Sequence, residues 1–174
     1  MPFFKLLLGK TMLPIFAILG TGVLYVILMS FIDHQTFPFP KIILVLALTK
    51  TILISYTTLK QLSKMIKVCH SLERLLWVFG LIIAISVVSF ATDYTCLYQY
   101  DTSSFKGMAT TSDTYIYDLY QFLYFSVVTF STAGFGDIAA ISGVARFIVM
   151  LEIFVSFFIV VFAFANVKNI QIED

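Results

Sequence analysis

Residues 143–166, GVARFIVMLEIFVSFFIVVFAFAN, carry charge only at Arg146 near the start and Glu152 in the interior. A helix needs about 20 predominantly apolar residues to cross the hydrocarbon core of a bilayer, and this run meets that length. Three further runs of the same kind lie near 11–32, 41–59 and 75–92. Across the whole chain 60% of residues are hydrophobic and 12% are charged, about half the charge of an ordinary soluble domain. Lipid gives exposed backbone groups no partners, so such runs become helices that satisfy themselves. The expectation is an all-α membrane protein with four transmembrane helices.

A fifth apolar stretch, Asp118 to Phe130, is shorter and suits a re-entrant or buried helix better than a crossing. The first run is too long for the apolar region of a cleavable signal and has no small-residue cleavage site after it. An even number of crossings puts both termini on one side. With the termini cytoplasmic, Lys5, Lys10, Lys60, Lys64, Lys67, Arg74 and Lys168 lie inside, against Lys41, Lys106 and Arg146 outside. That excess follows the positive-inside rule and points to a multi-pass protein of the cell membrane.

In this topology residues 60–74 form one basic cytoplasmic loop, an ordinary orienting loop or a site for anionic lipid. Outside, Asp93, Asp101, Asp113 and Asp118 face a single Lys106, and an acidic mouth of this sign concentrates cations. Cys69 and Cys96 fall on opposite sides, as do His34 and His70, so neither an intrachain disulfide nor a His/Cys metal centre is expected. Cys96 is left as a thiol outside the membrane, free or paired between subunits. No nucleophile and base come together on one side, so no enzyme, cofactor or nucleic-acid partner is expected.

Between the fifth stretch and the last run lies TFSTAGFGDI, residues 129–138. Irregular backbone at membrane depth is tolerated only where protein buries it or it lines a watery path. Carbonyls that all face one axis need torsions of alternating hand, and Gly134 and Gly136 permit positive φ cheaply. The C-terminal end of the preceding helix would also favour a cation just before Thr132.

The segment LYFSVVTFSTAGFGDI, residues 123–138, resembles the pore helix and signature of tetrameric potassium channels, with Thr132, Ala133, Gly134, Phe135 and Gly136 matching TVGYG and Asp137 following. The resemblance covers residues 74–167 and leaves the first two runs outside. Those two runs are expected to form a hairpin over 1–59, joined by the basic loop 60–74 to a pore domain over 75–167 with a short tail over 168–174. Within the pore domain the resemblance implies an outer helix 75–92, a turret 93–117, a pore helix 118–131, a filter 132–136 and an inner helix 143–167. It further implies that carbonyls of Thr132, Ala133, Gly134 and Phe135, with the Thr132 hydroxyl, take the place of water around potassium as the permeant ion. A ring of such carbonyls requires a homotetramer, because one chain supplies one filter segment.

Some members of that family carry a Glu behind the filter where this chain has Val128, whereas Tyr124 is placed to donate its hydroxyl to Asp137 beside Gly136. Ser156 occupies the position of a frequent hinge glycine, keeping small size with less backbone freedom. Phe157, Val160, Phe164 and Ala165 are candidates to line or narrow the cavity. Two charges inside apparent spans, Lys50 and Glu152, are costly in hydrocarbon and should meet protein, water or each other. Glu152 reads as a hydrogen-bonded structural carboxyl or a gating group, and Lys50 as its partner or a crevice residue. One lysine is too few for a voltage sensor, and with only the short tail 168–174 after the inner helix no ligand-binding domain is expected on this chain. Three functions stay open: a potassium-selective channel, a weakly selective monovalent cation channel, and a non-conducting membrane scaffold.

Overall fold

A computed structural model describes residues 39–66, 72–108 and 115–167 together with position 20. The expected first span lies outside the described residues, as do Cys69, His34, His70 and Asp113. Helix α1 (Phe39–Ile66) is followed by α2 (Leu72–Tyr100), a 3-10 turn (Thr102–Ser104), strand β1 (Phe105–Lys106), α3 (Tyr115–Phe130), strand β2 (Ala139–Ala140) and α4 (Gly143–Val167). Two stretches among the described residues are long and apolar enough to cross a membrane, Phe79–Tyr100 and Gly143–Ala165.

Each helix buries one stripe. In α1 the buried positions are Ile43, Ala47, Lys50, Thr51 and Ile54, a spacing of three and four that keeps them on one face. In α2, Phe90, Ala91, Tyr94 and Leu97 do the same, and α4 contributes Ala145, Ile148, Val155 and Ile159. Aromatic rings fill the centre: Tyr94 stands edge-on to Phe105 at 5.7 Å and to Phe125 at 5.2 Å, and Phe105 stands edge-on to Phe122 at 4.8 Å. Edge-to-face pairs at these centroid distances add about 0.5–1.5 kcal/mol each beyond simple burial. The short helix α3 is thereby clamped between α2 and the strand that precedes it.

The outer helix departs from its expected bounds. The sequence suggested a helix ending at residue 92 and a turret beginning with Asp93, but α2 continues to Tyr100 and its apolar stretch covers Phe79–Tyr100. Asp93 lies inside the helix, 7% exposed, and Lys50 of α1 meets it at 2.5 Å. That partner removes the reason to stop the apolar segment before the aspartate. Asp118 is likewise buried, where it accepts from Gln99 of α2. Two of the four carboxylates expected at an acidic mouth are therefore internal. Cys96 is 3% exposed inside α2, so it is not the accessible exterior thiol that an intersubunit disulfide would need. The basic segment expected as a loop over 60–74 is helical through Ile66, and helix resumes at Leu72.

What remains of the turret is tied to the segment after α3. Asp101 caps the 3-10 turn by accepting from the Ser103 amide at 3.0 Å and the Ser103 hydroxyl at 2.7 Å. Strand β1 pairs antiparallel with β2, Phe105 opposite Ala140 and Lys106 opposite Ala139. The Ser104 carbonyl accepts from Ile141 N at 2.8 Å, and the Ser142 hydroxyl then caps α4 by accepting from Ala145 N at 3.1 Å.

Candidate functional site: the loop after α3

Helix α3 ends in a hydrogen-bonded terminus that aims the next residues away from its axis. Thr132 N donates to Thr129 O at 2.9 Å and Ala133 N to Val128 O at 3.1 Å. This pair of bonds is the Schellman arrangement, in which the residue after the helix cap takes the left-handed conformation and is usually glycine. Here it is Thr132, with φ +58°. A β-branched residue at positive φ is a backbone outlier, and such strain persists only where surrounding structure over-determines it. The Thr132 hydroxyl donates to the Ser131 carbonyl at 2.7 Å.

Positive φ recurs at Gly134, +55°, and Gly136, +80°. Every second residue from 132 to 136 is thus left-handed. A Cβ built at either glycine meets nothing within 4 Å, so space within the chain does not demand glycine there. Backbone hand does. The sequence pointed to the two glycines for this alternation and missed Thr132, whose side chain gives no sign of it.

From Ser131 to Asp137 every residue is exposed in the single chain, while Ile138 beyond them is buried. Tyr124, two turns back in α3, donates its hydroxyl to Asp137 Oδ2 at 2.7 Å. This bond, helped by the backbone N–H of Ile138, holds the Asp137 carboxyl below its ordinary value. One end of the loop is fixed by the helix terminus and the other by this side-chain bridge.

Behind α3 sits a buried polar cluster. Glu152 of α4 is fully enclosed; Ser126 of α3 donates to its Oε1 at 2.5 Å, and Tyr94 of α2 donates to its Oε2 at 2.5 Å. Ser126 Oγ also lies 3.0 Å from the Val87 carbonyl of α2, so its single proton has two acceptors in reach. One carboxyl therefore joins three helices at the back of the loop's supporting helix. Val128, also buried, offers nothing polar there.

Lys50 does not pair with Glu152 as the sequence allowed. Its ammonium bonds to Asp93 Oδ1 and lies 3.4 Å from the Ser89 carbonyl. Ser156 is buried in unbroken helix, donating to the Ile153 carbonyl at 2.8 Å, whereas Phe157, Val160, Phe164 and Ala165 are exposed in the single chain. Tyr94 and Ser126 were not singled out from sequence, and Asp93 was placed at the acidic mouth rather than beside Lys50. Ser126 falls in an apolar stretch where a hydroxyl needs a partner, a usable signal; Tyr94 carried none.

Residues 77–172, more than half of the chain, match the protein-family model described as "Ion channel". No curated protein and no solved structure matches.

Proposed function

Because the chain belongs to the ion channel family, we propose that it conducts potassium selectively and passively through a ring of backbone carbonyls from Thr132, Ala133, Gly134 and Phe135. It is a membrane protein and not an enzyme. The observation that carries the reading is the alternation of hand at Thr132, Gly134 and Gly136. Positive φ at every second residue, with ordinary negative φ between, turns successive carbonyls toward one side, which is what replacing an ion's hydration shell requires.

The rest of the reading follows from that loop. One chain brings one loop, so the conducting unit is a homotetramer about a four-fold axis. Four helices cross the membrane per chain, α1 among them, with both termini cytoplasmic and the basic segment near residues 60–67 at the anionic inner leaflet. The Thr132 hydroxyl would turn to the ion when one is bound, giving up the Ser131 carbonyl. Gly136, Asp137 and Tyr124 support the outer end, and the Glu152 cluster supports the pore helix from behind. Lys50 holds α1 against the pore domain, and Ser156 lies in the helix that faces the cavity.

A weakly selective monovalent cation channel is the second reading, favoured by the apolar Val128 and the small Ala133, which leave the filter fewer ties to its surroundings. Purified protein in liposomes decides between them. Potassium-driven rubidium uptake that Gly134→Asp abolishes, with a reversal potential following potassium in mixed potassium and sodium, supports the first. Equal permeation of sodium refutes it in favour of the second, and absence of any flux refutes both.

A further inference from the structure

Gly107, the residue after β1, stands against the backbone at the outer end of the loop. A Cβ built there would lie 1.7 Å from the Asp137 carbonyl oxygen, 2.8 Å from its carbon and 3.2 Å from the Ile138 Cα. Ordinary contacts between such atoms are about 3.5–4.0 Å, so any side chain displaces backbone rather than a flexible group. Gly107 also has φ +85°. The approach is enforced from both sides: β1 and β2 pair at Lys106 and Ala139, and the Ser104 carbonyl holds the amide of Ile141. Asp137 is therefore gripped twice, by Tyr124 at its side chain and by Gly107 at its main chain.

We infer that Gly107 is a positioning residue for the selectivity filter: its bare backbone sets where Asp137, and with it the outermost carbonyls, comes to rest. The extracellular segment 101–108 then acts as an outer brace, and the filter's selectivity depends on a residue outside the filter. This inference rests on the potassium-channel reading. Local flexibility is not what the position supplies, since the chain here is paired on one side and in contact on the other.

The test compares Gly107→Ala, Gly107→Asn and Lys106→Ala in the full chain, reconstituted in liposomes, with potassium and sodium permeability measured per assembled channel. Asparagine tolerates the left-handed conformation. It therefore isolates the missing space from the backbone angle. Both Gly107 variants should lower the potassium-to-sodium permeability ratio about tenfold, equivalent to about 1.4 kcal/mol of lost discrimination; the exposed Lys106→Ala should leave it unchanged. Should neither Gly107 variant assemble, amide exchange of the native protein decides: replacing potassium by sodium should alter protection at 105–108 together with that at 132–137. A selective native channel with unchanged Gly107→Asn selectivity, or with exchange at 105–108 indifferent to the ion, overturns this inference alone. A native chain that passes no potassium overturns the channel reading with it.

Discussion

Removing the ammonium from Lys50 exposes how α1 is attached. The Lys50 and Asp93 side chains are only 6% and 10% exposed, and Asp93 Oδ2 has no hydrogen-bond partner even in the intact protein. Lys50→Met keeps most of the side-chain volume but leaves a buried carboxylate with its Oδ1 bare as well. Breaking a buried pair from one side costs about 3–5 kcal/mol, because the surviving charge loses its compensation. Asp93→Leu leaves the ammonium with only the Ser89 carbonyl at 3.4 Å, a similar loss. The double variant Lys50→Met/Asp93→Leu removes both charges and should return to within about 1 kcal/mol of the native protein, since an apolar pair of similar volume replaces an ion pair at little cost. At about 2–4 °C per kcal/mol for a chain of this size, each single variant should lower the midpoint of thermal unfolding by about 6–20 °C. Intrinsic fluorescence of the detergent-solubilised protein reads this. If the double variant falls by the sum of the two singles, the groups are not coupled and the reasoning is wrong.

Other variants probe the loop and its supports. Glu152→Leu strips the enclosed Tyr94 hydroxyl of its acceptor and should cost about 1–3 kcal/mol, with Glu152→Gln milder because one acceptor oxygen remains, both read by thermal unfolding. Thr132→Gly should be more stable than Thr132→Ala by about 1 kcal/mol, since only glycine adopts φ +58° without strain, while both lose rubidium flux with the hydroxyl. The Asp137 carboxyl is held below its ordinary value, so its contribution is complete above the unfolded value near pH 4 and disappears as pH falls through the lowered one. Conductance should therefore survive external acidification to about pH 4 in the native channel, whereas Tyr124→Phe, which releases that carboxyl, should shift the loss to higher pH. An identical acid profile in Tyr124→Phe would remove the bridge from the account.

Much of the site is legible in the sequence, because its chemistry is local. The apolar runs fix where helices can cross, since an unpaired backbone group has no partner in lipid. Gly134 and Gly136 announce left-handed backbone, since other side chains resist it. Even the Tyr124 to Asp137 bridge was legible, joining residues only 13 apart across one helix end. The left-handed Thr132 was not, because the hydrogen bonds closing α3, and not its own preference, put it there.

Whatever depends on how the helices lie against one another was settled by tertiary structure. The sequence offered Glu152 as a partner for Lys50, but the packing of α1 on α2 brings Lys50 to Asp93, 43 residues away, and gives Glu152 to Tyr94 and Ser126. The same packing draws Asp93 and Asp118 out of the supposed acidic mouth and buries Cys96. Gly107 gains its meaning only when β1 pairs with β2 and sets it on Asp137. Propensity and hydropathy act over a few neighbouring residues, so the sequence alone determined the two long apolar helices and the left-handed turns at Gly134 and Gly136. Which buried charge is compensated, and which backbone has no room, is decided by the relative shift and rotation of whole elements.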